Sequence, residues 1–287
     1  MVIETLRPIE PIDYLVIGHI TQDKVPGGFT PGGTASYAAL TAKALGRRVG
    51  ILTSYANQAV LPQLDGIQVI NQPAESSTVF ENIYHPTGRV QTIHSQAERL
   101  HPRQLPQSWL NTPLVHLGPV AAEIDPAFFR LFPSSFLGVT PQGWYRQWDA
   151  VGRVSFLEWI EANHYLRNAN AIVLSIEDVD GNEDIIADLV YAVRVLVVTE
   201  GYRGAQVYWN GDVRNFRPPQ IEEVDATGAG DIFATAFFIR LQQTQDPWEA
   251  ARFATLIASR SISRKGLESV PTEAEIRNDM IDIITKR

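Results

Sequence analysis

Two aspartates on either side of a glycine-rich turn are the residues best placed to do chemistry in this 287-residue chain. They lie in Val224-Asp225-Ala226-Thr227-Gly228-Ala229-Gly230-Asp231-Ile232-Phe233. A short β-like run, Gln220 to Val224, precedes the turn, and an apolar segment, Ile232 to Leu241, reads as a buried helix after it. Gly228, Ala229 and Gly230 leave the backbone N–H groups at the start of that helix uncovered by side chains. Those donors, with the positive end of the helix dipole behind them, suit an anion. Asp231 falls in the first turn, beside the place the anion would take. Simple storage of an anion gains nothing from a neighbouring carboxylate, because like charges repel. The pairing makes sense if Asp231 takes a proton from a nucleophile while the N–H groups steady charge on a transferred phosphoryl group. The competing structural account has Asp231 complementing the dipole and Asp225 capping the helix.

Other candidates sit on other loops. Gly32 and Gly33 lead into a helix of small residues ending at Leu45-Gly46, and such a pair lets backbone approach a ligand closely. Asp23 closes a polar loop, Gly18 to Asp23, after the first strand. Gln142 and Arg146 belong to the loop Thr140 to Arg146 after a later strand, where ligands are usually met. Glu177 and Asp178 offer carboxylate oxygens of the kind Mg²⁺ prefers.

The elements that must position these groups alternate along the chain. Short apolar runs at Tyr14–Gly18, Val49–Thr53, Gln68–Asn71, Leu114–Leu117, Phe136–Val139, Ala171–Ser175 and Arg194–Thr199 read as strands. Ala205 to Trp209 and Val213 to Pro218 flank Asn210-Gly211-Asp212 as a hairpin. Ser77 to Tyr84 and Arg89 to Ser95 alternate around His85-Pro86-Thr87-Gly88 and read as a second hairpin. Ala56 to Leu64 has room for only one or two helical turns. Pro247 to Ser263 and a segment capped by Thr272 read as helices. No linker divides the chain, so residues 1–287 are expected to form one α/β domain with a doubly wound, mostly parallel sheet.

Composition narrows the function. The net charge of −8 argues against a nucleic-acid partner. Without cysteine there is no disulfide, thiolate metal site or thiol nucleophile. No run approaches the ~18 apolar residues of a membrane span, and Met1 to Asp13 lacks the order of a signal peptide. A cytoplasmic location and no membrane partner are expected. The chain lacks G-x-x-x-x-G-K-[ST], lacks G-x-G-x-x-G after its first strand and lacks G-x-S-x-G, which weighs against Walker-type, dinucleotide and α/β-hydrolase sites. The six histidines show no H-x-x-x-H pair. His116, inside an apolar strand, reads as a satisfied core histidine.

Asp225-Ala226-Thr227-Gly228-Ala229-Gly230-Asp231 resembles the C-terminal signature of the ribokinase-like (PfkB) carbohydrate kinases. The resemblance extends, more softly, from Tyr14 to about Glu275. It implies a ribokinase-like fold with a lid, here reduced to the hairpin at about residues 77–96. It implies ATP and Mg²⁺, with Asp231 as the base and Gly228, Ala229 and Gly230 at the phosphoryl group. Asp23 matches the family's acid on the acceptor hydroxyls, beside Gly32 and Gly33. Tyr37 stands where most members carry an Asn that contacts the sugar, which implies a different polyol face. Ser175 to Asp178 replaces the family's N-x-x-E, leaving Glu177 or Asp178 to act on the metal indirectly. Thr199, Gly201 and Gly204 resemble the nucleotide loop, with Thr227 shaping the signature loop and Gly266 flanking the adenine.

The loops after residues 117 and 139 resemble those of the myo-inositol kinase subgroup. With Tyr37 and the small lid they favour a cyclitol such as myo-inositol, bound partly by Gln142 and Arg146. The alternatives are another sugar or a nucleoside, or a regulatory protein that binds without turnover. Family dimers form through the lid, so a monomer or a lid-mediated homodimer is expected.

Overall fold

Tyr14–Ile17 is four apolar residues in a row, all buried, as in a strand covered on both faces. Tyr14 and Val16 enter one hydrophobic core and Leu15 and Ile17 the other, on the opposite side of the sheet. The computed structural model describes residues 9–56, 62–85 and 88–284. Its strands begin with β1 (Tyr14–Ile17), β2 (Thr21–Val25), β3 (Gly28–Gly32), β4 (Val49–Tyr55) and β5 (Gln68–Pro73). Next come β6 (Thr78–His85), β7 (Gly88–Ser95), β8 (Leu114–Leu117), β9 (Phe136–Val139) and β10 (Arg146–Trp148). The last are β11 (Val154–Phe156), β12 (Ala171–Ser175), β13 (Val195–Thr199), β14 (Ala205–Trp209) and β15 (Asp212–Phe216). The helices are α1 (Thr34–Ala44), α2 (Ala162–Leu166), α3 (Glu183–Ala192), α4 (Ala229–Thr244), α5 (Pro247–Ser261) and α6 (Glu273–Ile284).

Nine strands form the main sheet in the order β15-β14-β13-β12-β9-β8-β1-β4-β5. It is parallel from β5 to β13, and β14 and β15 add an antiparallel edge. The chain leaves β1 towards β4 and β5 and returns on its other side at β8. Such a reversal opens a crevice at the carboxyl ends of the two strands.

One core packs residues of α1, α4 and α5 on the sheet. Residues 232–239 of α4 are all buried, which requires a helix enclosed on every side. Its Phe238 lies so close to β9 that a Cβ at Gly138 would stand 2.6 Å from the ring. Each large apolar side chain buried along α4 contributes about 1.5–3 kcal/mol. The expected helical segment from Ile232 is therefore present and runs on to Thr244.

The expected hairpin is present as β6 and β7, with its turn residues Pro86 and Thr87 outside the described residues. It is half of the lid rather than a reduced whole. A second hairpin, β2 and β3, pairs with it in a four-stranded sheet ordered β3-β2-β6-β7. Thr21 to Asp23, expected in a loop, pair in parallel with Thr78 to Phe80, far away in sequence. Pro31 sits in β3, at the sheet's edge, where a missing N–H costs no ladder bond. Beyond β7 a short two-stranded sheet, β10 and β11, closes on the lid through Ile93 N–H, which donates to Gly152 O at 2.8 Å.

Two further expectations need correction or limit. Gln220 to Val224 is not a strand, because Val224 and Asp225 N–H both donate to Ile262 O after α5. The short turn expected between Ala56 and Leu64 falls mostly outside the described residues. His116 is a satisfied core histidine, bonded to Tyr14 Oη at 2.7 Å and Thr140 Oγ1 at 2.9 Å. Burial lowers its pKa to about 3, so it stays neutral.

Candidate active site

The start of α4 is built by Gly228, whose φ of 80° and ψ of −6° lie in the left-handed region. A Cβ there would stand 2.3 Å from Tyr37 Cε1, so only glycine closes this turn. The turn bonds Ala229 N–H to Ala226 O at 3.1 Å. That corrects the expectation that Ala229 serves an anion. The N–H groups of Gly228, Gly230 and Asp231 have no partner among the described residues. They are the donors left at the positive end of a 16-residue helix.

Asp225 binds the loop together instead of capping the helix. Its Oδ1 accepts from Thr227 N at 2.9 Å and its Oδ2 from Gly266 N at 3.1 Å. These bonds and the nearby Lys265 hold its pKa below the usual value against the effect of burial. Thr227 and Gly266 are thus brought to one place by the same carboxylate.

Asp231 is partly buried. Loss of water around it pushes its pKa up to about 6, against a hydrogen bond from Thr34 and the charge of Arg146. Asp178 and Asp23 repel it and raise the value further. The three expected acids therefore share one cleft. A carboxylate titrating at about 6 has the basicity suited to accepting a hydroxyl proton near neutral pH.

Asp23 comes from β2, in the lid, and its carboxylate lies against Gly32: a Cβ at Gly32 would meet Oδ2 at 2.4 Å. Gly33, with φ of 84°, turns the chain from β3 into α1. Register puts Asp23 opposite Phe80, Phe80 opposite Ile93 and Asn82 opposite Gln91, so these residues share one face of the lid. Phe80 is buried beneath the Arg146 guanidinium, 5.9 Å from its centre. Asn82 accepts from Gln91 Nε2 at 2.9 Å.

Three side chains expected to touch the polyol do other work. Tyr37 is 2% exposed and packs behind Gly228. Gln142 and Arg146 stand in the cleft, but Gln142 Nε2 donates to Thr34 Oγ1 at 3.0 Å. Arg146 Nη2 donates to Gln142 Oε1 at 2.7 Å and Nη1 to Val120 O at 2.9 Å. Thr34 was not among the sequence candidates. A hydroxyl at the first helical position, just after the glycine pair, was the only signal for it.

The end of β13 and the loop after it carry the expected Thr199, Gly201 and Gly204. Thr199 Oγ1 donates to Leu174 O, and Glu200 N–H bonds Gly204 O at 2.7 Å. Gly201, with φ of 57°, opens the turn between them. Asp178 Oδ2 accepts from Ser175 N at 2.8 Å, which fixes the register that the sequence left open. No group of three or more metal-ligating side chains occurs among the described residues. The acids fit a magnesium ion carried in on phosphates and touched by one carboxylate or its waters. Asp178, close enough to repel Asp231, is better placed for that than the exposed Glu177.

Comparison with known proteins bears on the same regions. Residues 167–274 match the family described as pfkB family carbohydrate kinase. Ribokinase of Bacillus subtilis is 39% identical over 83 residues, 28% of this chain and 28% of its own length. Fructokinase-1 of Zea mays is 34% identical over 95 residues, 29% of this chain and 28% of its own. Inositol 3-kinase of Zea mays is 34% identical over 77 residues, 27% of this chain and 20% of its own. The chain thus spans about a quarter of the length of these curated relatives.

Similarity in fold is far more extensive. A pyrophosphate-dependent kinase in the ribokinase family, complexed with a pyrophosphate analogue and myo-inositol, superposes with a TM-score of 0.76 at 20% identity over 89% of this chain and 98% of its own. Arabidopsis thaliana ribokinase complexed with ribose and ATP gives 0.69 at 17% identity over 94% of this chain and 99% of its own.

Proposed function

We propose that the chain is a ribokinase-like PfkB carbohydrate kinase, a reading supported by the family match over residues 167–274 and by the fold, and that it transfers a phosphoryl group from ATP to a hydroxyl of a small uncharged polyol. The observation that carries this reading is Asp231, a carboxylate raised to about 6 beside backbone donors at the start of α4. In the proposed step Asp231 accepts the proton of an acceptor hydroxyl. The oxygen forms a bond to the terminal phosphorus, the bond to ADP breaks, and the Gly228 and Gly230 N–H groups stabilise the charge. Asp178 would hold the Mg²⁺ that comes with the donor, and the ion would neutralise charge on its phosphates.

A cyclitol such as myo-inositol is the first acceptor we propose, with another sugar or a nucleoside as the alternative. Tyr37 and a small lid no longer support that choice, since Tyr37 is buried and the lid has four strands. What supports an uncharged acceptor is the commitment of Arg146 to Val120 and Gln142 among the acids Asp23, Asp178 and Asp231. A phosphorylated sugar would meet repulsion there. The resemblance to inositol 3-kinase over part of the chain points towards a cyclitol. Resemblance to ribokinase and fructokinase is just as extensive, which keeps the alternative open. With Phe29 59% and Ile83 47% exposed on a full lid, a lid-mediated homodimer is preferred to a monomer.

The test is product formation from cyclitols, pentoses, hexoses and nucleosides, with ATP and with pyrophosphate as donors. A phosphate ester of one polyol, lost in Asp231→Asn, is the expected result. Tight nucleotide binding with no ester from any acceptor would replace the kinase by the regulatory reading.

A further inference from the structure

We infer that Thr34 is a positioning residue for the base, the last member of a hydrogen-bonded chain from Val120 O through Arg146, Gln142 and Thr34 to the Asp231 carboxylate. The inference rests on Asp231 being the base.

Chemistry fixes the direction of every bond in this chain. An arginine only donates, so the Gln142 atom 2.7 Å from Arg146 Nη2 must be its amide oxygen. The amide nitrogen is then the atom 3.0 Å from Thr34 Oγ1, and it too only donates. Thr34 Oγ1 therefore accepts from Gln142, and its single proton is left for another acceptor. Asp231 supplies one, in the hydrogen bond that helps stabilise its charged form. Arg146 is itself held, by Nη1 donating to Val120 O at 2.9 Å.

Packing removes the other freedom of Thr34. The residue is wholly buried, and a Cβ at Gly118 would stand 2.4 Å from Thr34 Cγ2. The methyl group thus fills the space above Gly118, which confines the hydroxyl to the remaining directions about χ1. With one carboxylate oxygen tied to Thr34, the other is the one presented to an acceptor hydroxyl. The charged and titratable groups facing Asp231 are Arg146, Asp178, Asp23 and the buried Tyr14. Thr34 is a neutral donor to the Asp231 carboxylate. It can therefore orient the carboxylate without shifting the charge of the cleft.

The experiment uses the full chain with Thr34→Val, Thr34→Ser and Gln142→Leu, read in two ways. Carbon NMR titration of the Asp231 carboxyl needs no turnover. Thr34→Val is expected to move its midpoint up by about 1 pH unit, because the charged form loses a donor. Thr34→Ser should restore the wild-type midpoint. In steady state with the acceptor found active, Thr34→Val should lower kcat about 10–100-fold, the range of a lost orienting contact, with acceptor KM within about twofold. Gln142→Leu should give a smaller loss in the same direction. An unchanged midpoint in Thr34→Val would overturn the inference, as would a rise in KM at constant kcat, which would make Thr34 an acceptor contact. Failure of Thr34→Ser to restore either readout would reduce Thr34 to packing. If wild type makes no ester, the kinase reading fails by itself, and the titration alone decides whether Thr34 holds the carboxylate.

Discussion

Asp231 joins two properties that oppose each other, one of function and one of stability. Its pKa is raised to about 6 by burial, so between about 4 and 6 the folded chain holds a proton that the unfolded chain has released. Stability contributed by that proton is complete at low pH and is lost as pH rises through 6. Asp231→Asn removes a charge the fold holds at a cost. It should raise stability above pH 7 by about 1–2 kcal/mol, after allowing for partial exposure. The same variant should lower kcat about 10²–10⁴-fold, the usual worth of a general base. Thermal melts at pH 5 and pH 8 check the first part, since the gain should shrink at the lower pH. Activity itself should fall about tenfold per unit below pH 6 as the base is protonated. A flat wild-type profile from pH 5 to 8 would deny Asp231 that role. Gly228→Ala is a separate matter of shape. A left-handed alanine costs about 1–2 kcal/mol, and its Cβ would meet Tyr37 at 2.3 Å. We expect a fall in Tm of about 2–8 °C together with loss of turnover.

At the scale of elements, what could be read from the sequence depended on how local its cause was. The α4 segment announced itself because glycines, acid and apolar run are adjacent, and strands β8, β9, β12, β13 and β14 because each is a short apolar run. The pairing of β2 with β6 left no local trace, since Thr21 meets Thr78 only after the chain has built α1, β4 and β5. Nor did β10 and β11, three residues each, whose reason for existing is the lid edge they cover. Tyr37 was misplaced for a similar reason. A motif position says where a residue sits in the chain, but Gly228, from another helix, took the space in front of the ring. The β10–β11 hairpin can be tested directly. Gly152 has φ of 83°, and a Cβ there would stand 2.1 Å from Ile93 O. Gly152→Val should unseat the hairpin from the lid and raise acceptor KM about tenfold while the core stays folded, which circular dichroism and steady-state kinetics together would reveal.

The whole molecule is organised by the reversal between β1 and β8. Loops from both strands meet there, and Glu123 holds them. Its carboxylate is 1% exposed and accepts from His19 N at 2.9 Å, Ala121 N at 2.8 Å and Val120 N at 3.0 Å. Through Val120, whose carbonyl receives Arg146, this buried acid also anchors the far end of the chain leading to Asp231. Glu123→Gln keeps the shape but turns an NH₂ group towards N–H donors. It should cost about 2–3 kcal/mol, seen as a lowered denaturation midpoint. No helix among the described residues is long and apolar enough to cross a membrane. The sheet, the lid and two glycine-led helices thus bring Asp23, Thr34, Asp178 and Asp231 to one cleft.

The most direct test of the central claim is phosphorus NMR of the full chain with donor, Mg²⁺ and the polyol panel, run in parallel with Asp231→Asn. The account predicts a new phosphate monoester of a polyol, growing as ADP or orthophosphate appears, and essentially absent in the variant. An ester formed at equal rates by both proteins would contradict it.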